Sequence, residues 1–143
     1  MGERPVVPAD IVDRIGSVCL ALPEAYEEDA WVGTRWRIRK RTFAHLYSIE
    51  GGWPPVYARA TGRTEPVTTV TFRSSGPELE ALTAAGHPFY RPQWGSNVVG
   101  LILGDAVDWD EVAELLTESY CVLAPKKLVA RVGAPVGADQ PSK

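Results

Sequence analysis

Between Thr34 and Ile49 the apolar residues keep a period of two but change phase halfway along. Trp36 and Ile38 sit on even positions between arginines, whereas Phe43, His45 and Tyr47 sit on odd ones. A period of two marks a strand with one covered face. A two-residue turn produces the change of phase, because it inverts the parity of residues that meet across a hairpin. Arg39-Lys40 is then the turn, Ile38 meets Arg41, and Trp36 meets Phe43. This stretch commits the chain to antiparallel pairing. His45, on the phase of Phe43, is expected to be an inward-facing structural residue.

The remaining segments fit around that hairpin. In "PADIVDRIGSVCLALPE", Ile11, Ile15, Val18, Cys19 and Leu22 form one helical stripe that Pro23 closes. Cys19 lies on the stripe and is expected to be a core residue, not a nucleophile. Residues 50–66 mix Gly, Pro and polar side chains and are expected to form a long loop. "VTTVTFR" is strand-like. Ser75 and Glu78 have capping-box spacing ahead of a short helix that Gly86 ends. "HPFYRPQWGS" is expected to be irregular. "VVGLIL", 98–103, suits a strand covered on both faces. Asp108 and Glu111 open a long helix whose inner face carries Val112, Leu115, Leu116, Ser119 and Leu123. Pro125 interrupts it, and "KKLVARV" adds one more short helix. The order of elements predicts an α+β fold, an antiparallel sheet covered on one face by the N- and C-terminal helices. Residues 1–132 are expected to form a single domain and residues 133–143 a disordered tail.

A length of 143 residues is enough for one domain with a real core. No apolar run approaches the roughly 18 residues of a membrane span, so the expected location is the cytoplasm, away from membranes. The two cysteines, Cys19 and Cys121, form no CxxC pair and lie near no histidine, so no metal site is expected. No GxGxxG, Walker or HExxH motif is present. The chain is expected not to be an enzyme and to need no cofactor.

Charge is distributed unevenly. The net charge is -3, yet residues 35–73 hold eight cations against two carboxylates, and the remainder holds seven cations against sixteen. Arg35, Arg37, Arg39, Lys40 and Arg41 fall within seven consecutive positions. They cannot all be buried, since an unpaired charge is costly to desolvate. A basic region can attract polyanions whatever the total charge, and each neutralised phosphate releases counterions. The competing arrangement pairs these arginines with the chain's own acids, in "EEDAW" or on the last long helix. Lys126, Lys127 and Arg131 would add a second basic edge if the chain end folds near the hairpin. Trp36 is expected to pack inward and is a poor candidate for base stacking.

Three stretches together resemble the MmcQ/YjbR family: "LPEAYEEDAW" after the first helix, "WRIRKRTFA" at the hairpin and "SYCVLAPKKLVA" at the end of the last long helix. The family's hairpin apolar residue falls at Ile38, its lysine at Arg41 and its Phe-Ala at Phe43-Ala44, while the tip, often glycine-containing in relatives, is Arg39-Lys40. The resemblance spans about residues 8 to 132 and implies a frataxin-like (CyaY-like) α+β sandwich with a DNA-binding role. The acidic ridge of frataxin's iron handling is not matched, since the first helix offers only Asp10 and Asp13.

The expected activity is weak, sequence-tolerant binding of nucleic acid, DNA included, through Arg35, Arg37, Arg39, Lys40, Arg41, Lys126 and Lys127. The alternative is a small-molecule or protein-binding module built from aromatic loops. Its pocket would use His87, Tyr90, Arg91 and Trp94, since aromatic-lined clefts with few polar groups are common ligand sites.

Overall fold

The computed structural model describes residues 6–61, 66–92 and 95–132. Among these residues five helices and six strands follow one another as α1 (Ala9–Cys19), β1 (Tyr26–Asp29), β2 (Thr34–Ile38), β3 (Arg41–Ile49), α2 (Pro55–Thr61), β4 (Val67–Arg73), α3 (Gly76–Ala85), β5 (Phe89–Tyr90), β6 (Val98–Ile102), α4 (Trp109–Leu123) and α5 (Lys126–Val132). The strands form one sheet in the order β1-β2-β3-β4-β6-β5, and every pairing is antiparallel. The architecture is the expected α+β fold. The region expected to be a tail, 133–143, lies outside the described residues.

The hairpin turn falls at Arg39-Lys40, with Ile38 opposite Arg41. Both turn residues lie in the left-handed region, at φ 51° and 67°, as a type I′ turn requires. The next expected pair differs. A β-bulge intervenes, Trp36 stands opposite Ala44, and Phe43 is the extra residue. The bulge resets the phase of β3. Phe43, Ala44 and Leu46 join the main core with Trp36, Val70, Phe72 and Val99, while Tyr47 and Ile49 enter a second cluster with Val32 and Ala58. His45 therefore turns to the opposite face from the one expected.

Helices α1 and α4 cover the main face. Ile15 and Cys19 of α1 and Val112, Leu115, Leu116, Tyr120 and Leu123 of α4 are buried against the sheet. Asp108 caps α4, accepting hydrogen bonds from the amides of Asp110 and Glu111 at 3.0 and 3.2 Å. Ser75 stands at the N-cap of α3 with extended backbone, but its side chain makes no cap bond, so that capping box is not formed. Ser119 ties α4 to two strands: its hydroxyl donates to the Phe43 carbonyl at 2.6 Å and accepts from the Arg73 amide at 2.7 Å. Tyr120 packs edge-on against Phe43 and donates to the Pro23 carbonyl at 2.6 Å, anchoring the turn after α1.

Among the described residues the other face carries no long helix and, apart from the 7-residue α2, is helix-free. Part of the segment expected to be a loop forms α2, whose Tyr57 packs on Tyr47 and His45. At the far edge Tyr90 lies over Gly100, where an added Cβ would stand 2.1 Å from the ring. Its hydroxyl meets those of Thr69 and Tyr47 at 2.7 and 3.2 Å.

Candidate functional site

Directly opposed residues share a face of the sheet, so the register lays out the helix-free surface. Across it run Glu28, Arg35, His45, Thr71 and Gly100, from β1 through to β6. The alternation of "TRWRI" makes this surface basic: Trp36 and Ile38 go to the core, and Arg35 and Arg37 go to the opposite side.

Three of the five hairpin cations are engaged by carboxylates. Arg35 donates from Nε at 2.8 Å and from Nη2 at 2.6 Å to one oxygen of Glu28. Arg37 Nη1 reaches the same oxygen at 3.4 Å, and its Nη2 donates to the Lys40 carbonyl, bracing the turn. Its Nε is buried without an acceptor. Arg39 folds back on Glu24, with both contacts at 3.1 Å. The hydrogen bond from Arg35, reinforced by the charge of Arg37, holds the Glu28 carboxyl below the usual carboxylate range. The tip is thus a partly neutralised surface. Among the described residues Lys40 and Arg41 have no carboxylate partner; both are exposed.

Arg73, in the basic segment but outside the expected site, is the fifth guanidinium of this region. Its partners are neutral: Nη1 donates to Asn97 Oδ1 at 3.0 Å and Nε to the Thr42 carbonyl at 3.4 Å. Burial and repulsion from Arg41 lower its pKa, so the cation lacks local compensation. The clue in the sequence is that Arg73 ends a strand that pairs with β3, but the spacing alone does not reveal it.

Arg35 and Arg73 both line a cleft of about 330 Å³ on the helix-free face, floored by Thr42, His45 and Thr71 and walled by Trp31 and Tyr57. Trp31 is 61% exposed and stands 6.4 Å from Tyr57, centroid to centroid. His45 Nε2 lies 2.6 Å from the Val32 carbonyl and donates to it in the neutral ring. Burial lowers the pKa of this histidine.

Of the residues expected for an aromatic pocket, His87, Tyr90 and Arg91 stand in different settings. Tyr90 is held in the hydroxyl network over Gly100. Arg91 spends its guanidinium on the carbonyls of Val98, Gly95 and Ser96, pinning its own loop. His87 lines a separate cleft of about 590 Å³ with Leu101, Val107 and Val112. Trp94 lies outside the described residues. Lys126 and Lys127 are exposed on α5. Farther along α5, Arg131 acts electrostatically on the Tyr120 hydroxyl, as does Arg39.

Elsewhere Cys19 and Ser119 are fully buried, and Cys121 is half-buried. Burial raises the Cys19 and Cys121 thiol pKa values, and both hydrogen-bonding functions of Ser119 are in use. Among the described residues no three His, Cys, Asp or Glu side chains gather as a metal site, and no helix is long and apolar enough to cross a membrane.

No curated protein matches the chain. The family model YjbR matches residues 20–122, more than two thirds of the 143-residue chain. The match takes in the hairpin, the helix-free face and α4 up to its penultimate residue, so the chain belongs to the YjbR family.

Proposed function

We propose that this YjbR-family protein is a binding module, not an enzyme, that holds nucleic acid weakly and without sequence preference through the hairpin and the adjacent helix-free face. One observation supports the reading above the rest: among the described residues Arg35, Arg37 and Arg39 share two carboxylates, while Lys40, Arg41 and Arg73 have none. The surplus lies on one side of an acidic molecule. Exposed ion pairs are weak and exchange readily, so phosphates can compete for the paired arginines too. Lys126 and Lys127, exposed on α5, are the further cations that this reading includes. Trp36, buried under the sheet with Nε1 donating to Glu27 at 3.0 Å, offers no ring for stacking, in keeping with backbone contact alone.

Fluorescence anisotropy with labelled duplex and single-stranded DNA tests the assignment. Three uncompensated cations engaging three phosphates give a logarithmic salt slope of about -2.7, or roughly a 40-fold loss of affinity between 50 and 200 mM salt. Replacing Lys40 and Arg41 by alanine is expected to remove most of that slope. Binding indifferent to salt, or to the double replacement, overturns the reading.

A further inference from the structure

The cleft beside the hairpin shares Arg35 and Arg73 with backbone binding but adds aromatic rings that backbone binding does not use. Neither Lys40 nor Arg41 lines it. Its volume, about 330 Å³, falls at the small end of ligand sites, which run from roughly 300 to 1,000 Å³. Its lining combines two guanidiniums, those of Arg35 and Arg73, with two aromatic rings, those of Trp31 and Tyr57. We propose that this cleft binds a nucleoside monophosphate, with the phosphate between Arg35 and Arg73 and the base against Trp31 and Tyr57.

The charge favours an anion here. Arg73 is partly buried and rests on neutral acceptors, with Asn97 and the Thr42 carbonyl fixing its orientation. That is preorganisation, because the guanidinium need not be reordered when the ligand arrives. Its Nη2 has no partner among the described residues. Arg35 belongs to an arrangement of two arginines on one carboxylate, so its charge is incompletely cancelled. Arg35 lies two strands from Arg73, separated by roughly 10 Å laterally at ordinary strand spacing, and long side chains from both can close on one phosphate. Thr42 and Thr71 add hydroxyl donors at the floor.

The aromatic part of the lining is suited to a flat ring. Tyr57 is fixed from behind by His45 at 5.8 Å, edge to face, and by Tyr47 at 4.9 Å. Trp31, also in contact with Trp53 at 6.1 Å, keeps a large exposed surface. A base stacked on such rings gains affinity whatever its identity, since every base has a π face.

Calorimetric titration of the full chain with AMP, adenosine and inorganic phosphate tests the proposal. AMP is expected to bind, with phosphate and adenosine each weaker by about tenfold or more, as loss of stacking or of charge dictates. Arg73→Met should abolish AMP binding, and it leaves the backbone bond to Ser119 in place. Trp31→Ala, at an exposed site, should bring AMP down to the affinity of phosphate and leave phosphate unchanged. Lys40→Ala with Arg41→Ala should leave AMP binding intact while weakening DNA, so the cleft and the hairpin fail or stand separately. No AMP binding at millimolar concentration, or binding unmoved by both cleft variants in folded protein, overturns the assignment.

Discussion

Ser119 shows how one buried hydroxyl can set the position of a surface cation. It accepts from the Arg73 amide and donates to the carbonyl of the bulged Phe43, fixing the end of β4 beside the kink in β3. Ser119→Ala leaves a donor and an acceptor unpaired in the interior, at a cost of about 1–3 kcal/mol. Urea denaturation is expected to show that loss, and proton chemical shifts should move at both Phe43 and Arg73. His45 supplies a second test at this scale. Its folded pKa is depressed below the ordinary 6.5, first by burial and then by the Arg35 charge, against the opposing effect of the Val32 carbonyl. The unfolded chain therefore takes up a proton that the folded one resists. This contribution to stability is full above pH 6.5 and declines as pH falls through the depressed value. The fall in melting temperature between neutral and mildly acidic pH should be smaller in His45→Gln than in the parent.

At the scale of elements, the hairpin was legible because a change in period-two phase has few other causes. The bulge was not. "TFAHLY" alternates acceptably in either phase, and the choice between them is made by Ser119 and by the packing of Phe43 on Tyr120, which lie 76 and 77 residues away in the chain. β1 leaves little trace in the sequence, because "YEED" lacks the β-branched residues of a typical strand. It pairs anyway, placing Glu28 opposite Arg35, and Gly33 at φ 75° closes the connection where a Cβ would meet the Leu46 carbonyl. α2 was hidden by flanking glycines and prolines. The type I′ tip is where sequence and geometry disagree most, since arginine and lysine are poor residues for two consecutive positive φ angles. Replacing Arg39-Lys40 by Asn-Gly is expected to stabilise the fold by about 0.5–1 kcal/mol, readable as a higher denaturation midpoint with an unchanged slope. The same variant should bind DNA less tightly. Stability and binding moving in opposite directions would mark the tip as strained for its charge.

Across the whole molecule the question is how an excess of acid coexists with a surface for anions. Composition made the asymmetry visible, but only the register of β1 shows that its acids neutralise part of the basic face. Glu24 and Glu28 compete with any external phosphate for three guanidiniums. Glu24→Gln with Glu28→Gln keeps a hydrogen-bond acceptor at each position and removes the charge, taking the formal net from -3 to about -1, with little effect on stability because exposed pairs contribute little. If the arginines are held back only by these carboxylates, the double variant engages up to six phosphates instead of three. Its salt slope should then steepen from about -2.7 toward about -5.4, and its affinity at low salt should rise. An unchanged slope would mean that β1 and the bulge direct Arg35, Arg37 and Arg39 away from a polyanion regardless of their partners, leaving Lys40, Arg41 and Arg73 as the whole of the contact. Measuring parent and variant over the same salt series separates competition by charge from restraint by geometry.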